Sequence, residues 1–180
     1  MTTRWEIDPK HTRLGFSAKH LMVTTVRGGF GDFAGFIEVD DDDHSTARGE
    51  VVINTASVDS GVEDRDNHLR SADFFDVENY PQMKFASTRV EPAGGDNYKI
   101  YGDLTIKDVS RPVVLDASVD GRIIDPWGNE RIGLTASTKI SRKDWGLTWN
   151  MAVEAGGVLV SDEVKLEVEA ALVTEAQVAA

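Results

Sequence analysis

Apolar and polar residues alternate with a period of two over most of the second half of the chain. Val164, Leu166, Val168, Ala170 and Leu172 stand against Glu163, Lys165, Glu167 and Glu169, the cleanest such run. Tyr98, Ile100, Gly102, Leu104 and Ile106 oppose Lys99, Tyr101, Asp103, Thr105 and Lys107. Val113, Leu115, Ala117, Val119 and Ile123 oppose Asp116, Ser118, Asp120 and Arg122, and Ile132, Leu134, Ala136, Thr138 and Ile140 follow. Gly94-Gly95-Asp96-Asn97 and Asp125-Pro126-Trp127-Gly128-Asn129 supply the turns. Shorter pieces of the same pattern lie earlier: Trp5 with Ile7, then Leu14, Phe16, Ala18 and His20, a glycine-rich aromatic stretch from Val23 to Val39, Gly49 to Thr55, and Met83, Phe85 and Ser87. Period two with one apolar face predicts antiparallel strands wet on one side. About eight such strands of roughly ten residues are best satisfied by a closed barrel, which leaves no exposed edge. The fold class expected is therefore all-β, a closed antiparallel barrel.

Ala56 to Pro81 breaks the pattern. Val62 to Leu69 can make about two helical turns, with Glu63 and Asp64 where the helix dipole favours acids. Asp66 and Arg70, four apart, can pair on its surface. Ser71 caps a second turn carrying Phe74 and Phe75, and Tyr80-Pro81 ends the helical region because a pre-proline residue is held extended. The expectation is a short helical excursion near residues 62–76 that plugs one barrel end with its aromatic underside. The simpler reading is a crossover whose Leu69, Phe74 and Phe75 are ordinary core.

At 180 residues, 41% hydrophobic and 28% charged, the chain is expected to form a single domain over 1–180, with the tail from about 174 frayed. The 31 acids against 19 bases give a net charge of -12, which repels nucleic acid and anionic surfaces over the molecule as a whole, so no nucleic-acid partner is expected. No apolar run approaches the ~18 residues of a membrane span, which argues against stable membrane insertion. The absence of cysteine excludes disulfides, thiol nucleophiles and thiolate metal sites. Met1 to Glu6 lack the apolar stretch of an export signal, making the cytoplasm the expected compartment. A homodimer is left open.

The inward candidates combine large aromatics with small residues, among them Ala18, Gly28, Ala34, Gly102, Ala117, Ala136 and Thr138. An eight-stranded barrel is just wide enough to be filled or to hold one small ligand. A dry, elongated cavity would select a chain-like hydrophobe, since each buried methylene contributes about 0.8 kcal/mol.

Nine fragments, in order, give the chain a likeness to a known family: Trp5-x-Ile7-Asp8-Pro9-x-His11, Phe16-x-x-Lys19-His20-Leu21, Val26-x-Gly28-x-Phe30, Arg65-Asp66-x-His68-Leu69, Asp73-Phe74-Phe75, Tyr80-Pro81, Phe85-x-Ser87, Gly102-x-Leu104-Thr105-Ile106 and Ser161-Asp162-Glu163-Val164. Together they resemble the YceI family, in register from about Arg4 to Ala171. The resemblance implies a lipocalin-like barrel with an internal tunnel, binding of a polyisoprenoid or related amphiphile, and a helical excursion at one barrel end. Two features depart from the family pattern. Lys107-Asp108 stand where its members carry His-Gly after Leu-Thr-Ile, so no role passes to that histidine, and many relatives carry an export signal.

On this basis the expected function is non-enzymatic binding and carriage of a long-chain amphiphile: a polyisoprenoid, an isoprenoid quinone or a fatty-acid-like lipid. No cofactor, metal site or catalytic residue is assigned. The apolar chain is expected among Phe16, Phe30, Phe36, Leu69, Phe74, Phe85, Leu104, Trp145 and Trp149, and the head against His11, His20, Arg65 or His68. A diphosphate head would need converging cations, and Arg65 and Arg70 have Asp64 and Asp66 beside them, so a neutral or singly charged head fits better. The alternatives are an enzyme using His11, His20, His68, Asp66 and Arg65 on a lipid substrate, and a histidine metal site. Against both, the chain contains no Ser-His-Asp elbow, no His-Glu-x-x-His and no phosphate loop, and Arg65-Asp66-x-His68 reads as a local network orienting His68.

Overall fold

The computed structural model describes residues 1–154 and 156–174. Eleven strands form one sheet: β1 (Thr2–Ile7), β2 (Arg13–His20), β3 (Thr24–Phe30), β4 (Phe33–Asp40), β5 (Asp43–Asn54), β6 (Val58–Asp59), β7 (Gln82–Pro92), β8 (Asn97–Ile106), β9 (Val109–Ile124), β10 (Glu130–Ser141) and β11 (Val160–Thr174). Three early breaks are bends within longer staves. A 3-10 turn at Pro9–His11, its start capped by the Asp8 side chain on Lys10 N, divides β1 from β2; Gly31-Asp32 divide β3 from β4; a turn at Thr55–Ser57 divides β5 from β6. Joined across these bends, the strands make eight antiparallel staves in chain order, closed where β11 pairs with both β1 and β2. The closed barrel predicted from the alternation is the fold observed. Thr174 pairs with Trp5 as the last residue of β11, and residues 175–180, where the frayed tail is expected, lie outside the described residues.

The pairing register assigns the faces. Phe16 opposite Leu166 and Gly28, Thr138 opposite Leu166, and Phe85 opposite Val51 and Leu104 fix the inner side, while Lys165, Glu167, Glu169, Lys84 and Glu50 alternate to the outside. Phe36 corrects the expectation. It pairs with Glu6 and Glu50 on the outer face, and the Arg4 guanidinium lies 3.8 Å over its ring. Ala34 shares that face and is exposed. The inward set in this stave is instead Phe33, Gly35 and Ile37, one residue out of phase with the choice of Phe36 and Ala34.

One barrel end gathers the β2–β3 turn, the β8–β9 turn, the long β10–β11 loop and the expected excursion, now seen as α1 (Glu63–Arg70) and the turns after it. Beneath them lies the main buried cluster of Phe74, Met83, Leu104, Ile106, Val113, Trp145 and Leu147. At the opposite end Trp5 and Leu172 are buried, with Arg122, which is paired to Glu130, 5.6 Å over the Trp5 ring. Between these two plugs the inward side chains of Phe16, Ala18, Val51, Phe85, Leu115, Leu134, Thr138, Val164 and Leu166 keep intermediate exposure. Leu104, Ala117 and Ala136 on the same inner side are buried, and Thr138 also borders a gap in the wall, so the space between the plugs, the lumen, is partly filled.

Candidate functional site

The lumen owes its width to paired large and small residues. Phe16 faces Gly28 across the β2–β3 ladder, and its ring occupies the space a Gly28 side chain would need. Phe85 lies in the same way over Gly102, where a Cβ would run into its ring and stand 2.6 Å from the Ala86 carbonyl. Laying the rings flat on backbone keeps them out of the centre. This is the cross-strand device by which aromatics cover glycine in strongly coiled sheets.

An aromatic ceiling closes the lumen at the helical end. Phe16 and Phe30 have ring centroids 5.7 Å apart, and Phe30 meets Phe75 edge-on at 5.6 Å. Phe74, His68 and Trp149 form a second group, with His68 edge-on to Phe74 at 5.0 Å and to Trp149 at 4.5 Å. Leu69 packs on the cluster that includes Leu104, and Trp145 donates its indole N–H to the Leu104 carbonyl at 2.8 Å. Of the nine apolar residues expected at the site, all but Phe36 therefore face the lumen or its ceiling.

The polar residues are less concentrated. His68 lies at the ceiling, its Nε2 2.9 Å from an Asp73 carboxylate oxygen. His20 ends β2 at the same barrel end, in phase with the inward set and paired with Thr24 and Val160. His11 is not brought to them: it is exposed in the Pro9–His11 turn on the outer wall, 2.9 Å from Asp8. Arg65 is consumed locally, donating to the Ser60 hydroxyl and carbonyl, both at 2.7 Å. The Asp66–Arg70 pair does not form. Asp66, buried, accepts from the Ser60 amide and hydroxyl, while Arg70 donates to the Ala56 and Val58 carbonyls and to Asn67. Backbone left unpaired by the β6–α1 loop outcompeted a surface ion pair, and Asp73, not Asp66 or Arg65, orients His68. Among the described residues no group of His, Asp and Glu is arranged to hold a metal.

Arg142 is the residue the sequence pattern missed. It is 5% exposed and donates to the carbonyls of Leu147, Trp149 and Ser161 at 2.7, 2.8 and 2.9 Å, with the Phe74 ring 6.0 Å away. Burial holds its pKa below the usual arginine range, against the opposing pull of Asp162. Arg142 thus shapes the β10–β11 loop that delivers Trp149 to the ceiling. Its only signal in the sequence was a basic residue at the end of an alternating run, just before Trp145.

The wall beside this ceiling is split. β9 and β10 are paired only from Asp116–Ser137 downward, so Val109–Leu115 and Thr138–Ser141 have no partner on the facing side. An open cleft of ≈ 820 Å³ lies there, lined by Val113, Val114, Thr138, Ile140 and Trp145 among others.

The comparisons agree with the geometry. The model of the YceI-like domain matches residues 5–172. Protein YceI of Escherichia coli is 41% identical over 138 residues, which is 77% of this chain and 72% of that one. The crystal structure of BcnA from Burkholderia cenocepacia superposes with a TM-score of 0.80 at 22% identity, covering 92% of this chain and 98% of that one. A polyisoprenoid binding domain from Saccharophagus degradans, implicated in plant cell wall breakdown, gives 0.70 at 14%, covering 94% and 98%. With a family match over nearly its whole length, and a barrel that superposes on those structures, the chain belongs to the YceI-like family.

Proposed function

We propose that this protein binds and carries a long-chain amphiphile in the lumen without chemically altering it. The observation that carries the reading is the set of inward apolar side chains Phe16, Val51, Phe85 and Leu166, which are paired on both sides and keep some free surface between two plugged ends. An elongated apolar ligand recovers that surface at about 25 cal/mol per Å². A polyisoprenoid, an isoprenoid quinone or a fatty acyl chain fits this requirement, and the structural neighbour from Saccharophagus degradans, a polyisoprenoid binding domain, supports the same ligand class.

For the head, the engagement of Arg65 and Arg70 with backbone carbonyls leaves little free cation at the ceiling. This supports a neutral or singly charged group, hydrogen-bonded by His20 or His68. Extraction of the protein purified from its own host, followed by mass spectrometry, tests the reading. A single class of long-chain amphiphile in near-stoichiometric yield is expected; a protein free of lipid that also leaves Trp145 and Trp149 fluorescence unchanged when titrated with an isoprenoid quinone would refute it.

A further inference from the structure

The hairpin formed by β2 and β3 differs from the rest of the molecule in charge and in what its tip exposes. From Pro9 to Gly31 there is no Asp or Glu and there are four Lys or Arg, in a chain of net charge -12. Its tip, Leu21-Met22-Val23, is 42%, 60% and 77% exposed. Leu21 and Met22 hold positive φ values of 52° and 61°, a conformation that favours Asn and Gly and costs most other residues about 1–2 kcal/mol. The tip is extended by the β10–β11 loop: Leu21 N–H donates to the Leu159 carbonyl, the Met22 thioether lies against Gly157, and Met151 and Val158 add 58% and 38% exposed side chains. The strained turn and the adjoining loop together present five aliphatic side chains to solvent.

We infer that this tip docks the protein on an anionic phospholipid surface, with the aliphatic residues entering the headgroup–acyl boundary. The occupant follows from shape and charge. A convex tip without an aromatic or arginine anchor suits a bilayer better than a protein pocket. Lys19, exposed and two residues from Leu21, lies within a Debye length of about 8 Å of a surface the tip has entered; Arg27 on the partner strand is offset by Glu167, and the adjoining loop carries Glu154, so the aliphatic side chains supply the affinity and Lys19 only steers. Arg13 is farther away and is paired across the ladder with Glu169, so it adds little. The tip also adjoins the ceiling where His20 and Trp149 stand. Docking there would bring the lumen to the source of its cargo, a purpose that rests on the carrier reading above.

The test is co-sedimentation of the full chain with vesicles of mixed phosphatidylcholine and phosphatidylglycerol, in parallel with Leu21→Asn/Met22→Gly. That variant supplies the residues this turn prefers, so it folds at least as well as the parent while losing the apolar tip. The parent is expected to sediment with the vesicles and the variant to lose at least about tenfold in partitioning, with Lys19→Ser losing less and mainly at low salt. Equal partitioning of parent and variant, or a parent that stays in the supernatant, overturns the inference. A parent dimer by sedimentation velocity that the variant abolishes, without vesicle binding, assigns the tip to a second copy and overturns it as well. Lipid extracted from both proteins keeps the two readings separate, because tip-dependent docking of a protein that carries no lipid upholds the docking surface and removes the carrier.

Discussion

Arg142 shows how a single residue can organise a site it does not line. Its guanidinium replaces backbone partners for three loop carbonyls within 3 Å, so removing it leaves buried acceptors unsatisfied. Arg142→Met is expected to cost about 3 kcal/mol or more in urea unfolding, and Arg142→Lys most of that, since an ammonium cannot reach the same carbonyls in one plane. A loss below about 0.5 kcal/mol in the Lys variant would contradict this role. At the far end, burial raises the Asp125 carboxyl pKa, but hydrogen bonds from Arg131 and from the Asn129 and Trp127 amides outweigh it and hold it at about 2. A folded value below the ordinary carboxylate value means stability present above about pH 4 and lost as pH falls toward 2. Arg131→Gln is expected to move the acid-unfolding midpoint upward, and an unchanged midpoint would rule out the linkage. Neither residue was legible beforehand: both are charges in alternating runs, and only the tertiary register decides that one is buried and the other bridges Asp8 and Asp125.

At the level of elements, period-two alternation predicted nearly every strand from β7 to β11, because each has one wet face. It failed in β4, where Phe33, Gly35, Phe36 and Ile37 give two apolar phases and only pairing with Trp5 and Glu6 selects the inner one. The excursion was legible from its acids, Ser71 and Tyr80-Pro81, but its hydrogen bonds were not, since they serve a loop whose path the sequence does not reveal. Turn geometry was hidden too: Lys107 and Asp108 hold φ values of 52° and 60° in a two-residue hairpin with no Asn-Gly signature. Lys107→Asn/Asp108→Gly is expected to raise thermal stability by about 1 kcal/mol, read as a shift in unfolding midpoint. Gly102→Ala works in the opposite direction. Its methyl would meet the Phe85 ring and the Ala86 carbonyl, so the ring must swing toward the lumen, with an expected loss of about 1–3 kcal/mol and weaker ligand binding. An alanine variant as stable as the parent would show that the ring is not held against the backbone.

For the molecule as a whole, the barrel separates two requirements that a small domain has to reconcile. Stability is concentrated at the ends, in the cluster under α1 and around Trp5 and Leu172, and this leaves the middle free to stay partly unfilled. Most of the net charge of -12 comes from acids in the turns and the helical excursion, among them the exposed Asp41, Asp42, Glu63, Asp64 and Asp73, so it does not oppose an apolar occupant inside. Ligand identity was not legible for the same reason, because the lumen offers area and shape with few polar groups to read. The most direct measurement is native mass spectrometry of the full chain purified from its own host, compared with Thr138→Trp, which places an indole in the middle of the lumen. An adduct of a long-chain amphiphile is expected on the parent, largely absent from the variant while the variant's unfolding midpoint stays close to the parent's. A parent that flies at its bare mass, or an adduct equally abundant on the blocked variant, would contradict it.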